Sequence, residues 1–286
     1  MNNISQKSIS KLFSGKSDKD ENFPVSSFLI SNQHKLHIKR FYNFARAADD
    51  VADNSDISGK EKIKIINFFD EALKKGNICN LDFIDELNKT LKEINKTSEN
   101  PRKLLIAFKQ DALKNRYKNW SELIRYCNYS ASPVGRFVVD LHVHKSNKKL
   151  KDIYEGCDNL CNSLQILNHI QDCKKDFISM NRVYIPTEYF VKEEISLDCL
   201  KKNKSCKKFQ KIKLKCLAKV DILLEDALKK ISIIEDKRLK KETFVIFFIA
   251  KRLTNLLKIS DPIQKKVKLS FIDLIFSFIK GIIKGI

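Results

Sequence analysis

The sequence predicts an all-α protein, one helical domain, on three observations. Only 7 glycines and 5 prolines interrupt 286 residues, so little stops a helix once it has begun. Long Leu/Ile/Phe/Lys stretches space their apolar residues by three and four rather than alternating them. No Pro/Gly/Ser-rich linker divides the chain, and 43% hydrophobic residues suffice for a sizeable core.

Taken in order, residues 1–20 are polar and read as a flexible N-terminus ahead of a domain over 21–286. Asn22-Phe23-Pro24-Val25-Ser26-Ser27-Phe28 mixes a proline, aromatics and two hydroxyls where a helix begins. Ser26 and Ser27 either donate to a phosphate or cap that helix. Ser31 or Asn32 caps the helix carrying FYNFARAADDVAD at 41–53. After a turn over 54–59, helices are expected at 60–75 and 81–96, with a break at Asn100-Pro101. Residues 101–119 form a helix containing Arg116-Tyr117, and residues 120–144 another.

The helix at 120–144 is interrupted by Ser130-Ala131-Ser132-Pro133-Val134-Gly135. Proline inside a helix costs about 3 kcal/mol and kinks it. Either these small residues serve close helix packing, or a long apolar ligand slides past them with Tyr126 one turn away. A second acidic helix is expected over 150–176, with Leu160, Leu164 and Leu167 toward the core, ended by NRVYIP at 181–186. The lysine-dense stretch 201–219 reads as a solvated face, and FVIFFIA at 244–250 as a buried helix. The tail, 267–286, sets apolar residues at helical period among Lys268, Asp273, Lys280 and Lys284. It either packs as a last helix or lies in a membrane interface with its lysines snorkelling, the preferred reading.

The chemistry is carried by two stretches. In the first, Asp49 and Asp53 stack one helical turn apart beside Asp50, with Tyr42 and Arg46 on the same stripe. In the second, NHIQDCKKD, Asn168, Asp172 and Asp176 repeat every four residues. Like charges at this spacing repel by a few tenths of a kcal/mol per pair. Apolar or small flanks (Phe41, Phe44, Ala45, Ala47, Ala48, Val51, Ala52) set the first group on a largely buried helix, where unpaired charge is costly. A divalent cation offsets both penalties. Magnesium suits oxygen ligands supplied by a few carboxylates plus substrate phosphates, so two acidic walls holding a diphosphate are expected. Arg182 is placed to reach back to that phosphate.

A net charge of +20 invites a nucleic-acid reading. Lysine rather than arginine supplies it, however, and no helix-turn-helix, zinc-finger or RNA-binding signature appears. No nucleic acid is expected; anionic lipid or a polyanionic substrate fits the charge. Eight cysteines match no zinc or CxxC spacing and follow no secretory signal. Reduced, mostly buried thiols in a cytoplasmic protein are expected. No apolar run has the length of a spanning helix.

In this order, NFPVSSF, FYNFARAADDVAD, Arg116-Tyr117, YCNYSASPVGR, NSLQILNHIQDCKKD and NRVYIP resemble the successive signatures of the squalene/phytoene synthase family over roughly residues 21–190. The resemblance implies an isoprenoid synthase fold with a central apolar cavity, two magnesium-binding aspartate motifs and prenyl diphosphate substrates. Carried onto this chain, Asp49, Asp53, Asp172 and Asp176 hold Mg2+, supported by Asp50 and Asn168. Arg46, Arg116, Arg182 and Ser26 hold diphosphate. Tyr126 matches the family's active-site tyrosine and joins Asp49 and Asp172 as catalytic. Ser130-Ala131-Ser132-Pro133-Val134-Gly135-Arg136 is most similar to the S-A-N-P-V-G-R of the bacterial hydroxysqualene synthase branch of hopanoid biosynthesis, which acts on presqualene diphosphate. The sister activity, head-to-head joining of two farnesyl diphosphates or of longer chains, is the alternative, followed by a non-catalytic membrane-associated member. No nicotinamide is implied, and no GxGxxG occurs. Other squalene-pathway enzymes and the inner face of the cytoplasmic membrane are expected partners. The chain departs from the family at Ser132, for asparagine, and at Asn181, for glycine.

Overall fold

The structure, a computed structural model, describes residues 31–143 and 146–286. Ser26 and its NFPVSSF segment lie outside the described residues. Among the described residues every regular element is helical, and the one β-type contact is an isolated bridge between Arg116 and Val183. The helices gather into two compact units divided between Leu113 and Lys114.

In the first unit α1 (Asn32–Asp53) packs against α3 (Asp82–Glu93) and α4 (Glu99–Leu113), and α2 (Gly59–Lys75) packs against α4. The apolar flank of the first acidic motif is buried as its pattern requires: Phe41, Phe44, Ala47, Ala48, Val51 and Ala52 are all inside. Each large side chain so placed contributes roughly 1.5–3 kcal/mol. Ser31 stands at the N-cap position of α1 without a side-chain cap bond. At α2 the Ser58 hydroxyl and the Glu61 carboxylate form a reciprocal capping box, and Gly76 closes the helix at φ 65°.

Helix α4 differs from expectation at both ends. It starts at Glu99, because Pro101 falls in the first turn, where its missing N–H breaks no helical bond. It stops at Leu113, and Arg116-Tyr117 therefore lies on no helix. The carbonyls of Asn115 and Tyr117 accept from Val183 and Thr187, each at 2.9 Å, and hold this segment extended.

In the second unit α7 (Leu150–Gln171) is central. Against it pack α5 (Trp120–Ser130), α6 (Ser132–His142), α10 (Lys207–Ile231) and α11 (Lys237–Ile259). Short elements α8 (Cys173–Met180), α9 (Thr187–Lys192) and a 3-10 turn (Leu197–Lys201) follow α7, and α12 (Phe271–Lys284) lies on α11.

The helix expected over 120–144 is two helices, broken at Ala131 (φ −123°, ψ −46°) with Pro133 at the start of the second. Close packing is visible beside the break: a Cβ on Gly135 would lie 2.6 Å from Cys161 Sγ. The expected acidic helix 150–176 also breaks, at Asp172 (φ −101°, ψ 8°). Its N–H still donates to Asn168 at 2.9 Å, and Asp176 donates to Asp172 at 2.8 Å, so the four-residue spacing survives. The stretch 201–219 buries Phe209, Ile212, Cys216 and Leu217 and turns its lysines to solvent except Lys213, which is buried and donates to the Ser260 carbonyl at 2.5 Å. Residues 244–250 are mostly buried in α11, and all eight thiols are free, four of them fully buried.

Candidate active site

In the first unit the acidic face of α1 divides by burial. Arg46 donates to Asp49 at 2.9 Å and to Asp50 at 3.0 Å. Asp50 is turned inward, Asp49 is half-buried, Asp53 is exposed, and Tyr42 is half-buried one turn before Arg46. The Asp49 carboxyl is pushed up to about 7 by burial and then by the charge of Asp53; Arg46 opposes the shift, and Asp111 and Asp50 add to it. A third of the Asp49 side chain still touches solvent (34%), so the group is both strained by like charge and reachable.

Asp111 was not among the residues singled out from the sequence. It occupies the last place of the buried stripe Leu104, Ala107, Phe108, Asp111 on α4, an acid where the pattern calls for an apolar residue. With it, three carboxylates (Asp50, Asp53 and Asp111) stand in the electrostatic reach of Asp49, opposed by the Arg46 guanidinium. A surplus of negative oxygen at a solvent-reachable helix face fits a hard cation. Magnesium held there would take one or two carboxylates, with waters and phosphates completing its shell. Among the described residues no three His, Cys, Asp or Glu side chains form a ready cage.

In the second unit Asn168, Asp172 and Asp176 are half-buried on successive turns across the α7/α8 break. Lys266 pairs with Asp172 at 2.8 Å. Around the same break, Gln171 donates to the Val267 carbonyl at 2.5 Å and Lys174 to Ile263 at 3.3 Å. The segment leading into α12 is therefore fastened along the acidic motif. Lys266 lies 94 residues from Asp172 in sequence, and no local pattern announces the pair.

The loop after α8 gathers the two arginines. Asn181 ends α8 at φ 50°, the left-handed region that glycine favours and asparagine tolerates, which accounts for the glycine common there in the family it resembles. Arg116 donates to both the Asn181 backbone carbonyl and its side-chain oxygen, the latter at 2.6 Å. Arg182 is buried, its backbone N–H donates to the Asp176 carbonyl at 3.1 Å, and its guanidinium donates to Tyr184 Oη at 3.2 Å. Asp176, Arg182 and Arg116 thus share one corner. Guanidinium groups there are suited to charge-assisted bonds with phosphate oxygens.

Beside that corner lies an aromatic cluster. Tyr126 is buried, 5.0 Å from Tyr117, 5.2 Å from Tyr184 and 5.9 Å from His169 between ring centres. The His169 and Tyr184 rings stack at 3.5 Å, and Tyr117 stacks on Tyr184 at 5.4 Å. Burial, helped by the charge of Arg182, drives His169 down to about 3, so its imidazole is neutral. All four of these rings sit inside motifs quoted from the sequence, which assigned a role to Tyr126 alone. Their π-faces offer a nonbasic surface toward positive charge.

Known proteins resemble this chain over most of its length. The squalene/phytoene synthase family matches residues 17–273. The hydroxysqualene synthase of Zymomonas mobilis is 40% identical over 261 residues, covering 90% of this chain and 85% of that one. That of Sinorhizobium fredii is 36% identical over 258 residues, covering 90% and 86%. Among solved structures, a dehydrosqualene synthase in complex with ligand superposes with TM-score 0.79 at 17% identity, covering 96% of this chain and 95% of that one. A squalene synthase from Alicyclobacillus acidocaldarius does so with TM-score 0.72 at 21% identity, covering 87% and 91%. The isoprenoid synthase fold and the ordered motifs lead to one assignment: the chain belongs to the squalene/phytoene synthase family.

Proposed function

We propose that this protein is a magnesium-dependent enzyme that converts presqualene diphosphate and water to hydroxysqualene and diphosphate. The observation that carries the reading is the 36–40% identity to curated hydroxysqualene synthases across about nine-tenths of the chain. The S-A-S-P-V-G-R segment at 130–136 supports the same branch.

Asp49, Asp53, Asp172 and Asp176 hold magnesium in this reading, with Asp50 and Asn168 in support. The metal supplies Lewis acidity to the leaving diphosphate. Arg46, Arg116, Arg182 and Ser26 bind the diphosphate oxygens by charge-assisted hydrogen bonds. The C–O bond breaks with both electrons on diphosphate, and apolar walls keep water from the first-formed cation. After rearrangement the cation takes a hydroxyl from water, which gives up one proton, so no reductant is consumed. Tyr126 either faces the cation with its ring or helps move that proton. A substrate with so long an apolar tail reaches the enzyme from a bilayer.

The test is product identification. Purified protein with magnesium is incubated with presqualene diphosphate and, separately, with farnesyl diphosphate. Hydroxysqualene from the first and nothing from the second is expected. Presqualene diphosphate, squalene or phytoene-type products from unjoined prenyl diphosphates would instead make the protein a head-to-head transferase. No product from any diphosphate would leave a non-catalytic member of the family.

A further inference from the structure

Helix α12 is built inside out. Its buried residues are Ser277 and Gly281, whereas Phe271, Ile272, Phe276, Ile279, Ile283 and Ile286 at its outer side and end are exposed, from 47% to 84%. Ile272, Phe276, Ile279 and Ile283 recur at four-, three- and four-residue steps, so they form one continuous stripe. The small side is fitted to α11: a Cβ on Gly281 would lie 2.5 Å from Val245 Cα, and one on Gly285 would lie 2.8 Å from Lys241 Cα. The start of α12 is pinned by a Ser270–Asp273 capping box and by Arg252 Nε, 2.6 Å from Asp273. The outward direction of the apolar face is thus fixed by backbone contact. A soluble monomer rarely leaves such a continuous face to water.

Charge indicates what covers it. Lys280 and Lys284 are exposed along the flank of α12. The Gly285–Lys241 contact brings the end of the helix beside the first turns of α11, where Lys237 and Arg238 are exposed. A symmetric pairing through this face would join two chains of net charge +20, each carrying the same cations. An anionic surface meets the cations and the apolar stripe together. Fourteen residues make a helix only about 21 Å long, and among the described residues no helix is long and apolar enough to cross a membrane.

We propose that α12 lies flat in the surface of a bilayer containing anionic phospholipid, its Phe/Ile stripe among the acyl chains and its lysines at the headgroups. The surface stands on this geometry; its use in taking up substrate rests on the function proposed above. The segment before α12 is fastened to the second acidic motif by the Gln171–Val267 and Lys266–Asp172 contacts, so the docked helix and that motif are joined by a short, anchored stretch of chain.

Flotation of the whole chain with phosphatidylcholine vesicles, with and without phosphatidylglycerol, tests this. Wild type should float with the anionic vesicles and be released by salt. Phe276→Asp/Ile279→Asp should weaken binding at least about tenfold with an unchanged circular dichroism spectrum, since both side chains are already in water. Wild type that stays off the vesicles, or binding that survives the double variant, would overturn the proposal. A wild-type dimer that the double variant returns to monomer would give the face to a second copy and overturn it too. Turnover of presqualene diphosphate in detergent should be equal in both proteins. If neither turns it over while vesicle binding still separates them, the substrate reading fails and the bilayer face stands.

Discussion

Asp49 carries the sharpest prediction at the scale of single residues. Its carboxyl is raised to about 7 by burial and neighbouring acids, so above that pH its ionised form is held against repulsion. Asp49→Asn removes the charge and keeps the shape. In chelator at pH 8 the variant should melt no lower than wild type, and magnesium should raise the melting temperature of wild type by clearly more than that of the variant. Turnover should fall by at least about a hundredfold, on the order of 2.7 kcal/mol of barrier. Equal magnesium stabilisation in both proteins would remove Asp49 from the metal site. The spacing of Asp49 and Asp53 was readable from the chain because helical period is local. Asp111 was readable in principle, as an acid on an apolar stripe, whereas Lys266 was not, because only folding brings it to Asp172.

Elements show where local rules lose to tertiary ones. Periodicity located nearly every helix, but three ran on too far in the sequence reading, at Leu113, Ala131 and Asp172. Pro133 explains the second break, and the extended 115–117 segment, paired to 183–187, explains the first. Asp172 sits in a sequence with no helix breaker, and its neighbours Gln171 and Lys174 are tied to the segment before α12. At α12 itself, Gly281 is the fitted point. A side chain there meets the Val245 backbone at 2.5 Å, which cannot yield as a flexible side chain would. Gly281→Leu should therefore lift α12 from α11, at about 1–3 kcal/mol of overpacking. A lowered melting temperature and faster proteolysis within 271–284 are the readouts, and an unchanged protein would mean that the contact is not held in solution.

For the whole molecule, buried ionisable groups shape stability against pH. Glu242 on α11 is 6% exposed, its Oε2 meets no donor among the described residues, and burial raises it to about 7. Its folded form keeps a proton that the unfolded chain releases near its ordinary value, so stability falls as pH rises from about 4.5 to about 7. His169 acts in the opposite sense. Held down to about 3, it stays neutral while the unfolded chain takes up a proton, so stability falls as pH drops below about 6.5. Glu242→Gln should match wild type near pH 4 and exceed it by up to about 3 kcal/mol at pH 8, read from chemical denaturation at both pH values. A constant difference across that range would show that Glu242 does not titrate with folding.

The sequence by itself determined the helical class, the two acidic faces and the family, because helical period and ordered short motifs are written in neighbouring residues. Tertiary structure alone decided which way those faces and stripes are turned. Asn181 turns left-handed to join Arg116 to the Arg182 corner, and Gly281 seats the small side of α12 so that its apolar side faces out. Each outcome depends on a contact across chain distance, where packing and charge compensation, rather than local propensity, set the lower free energy.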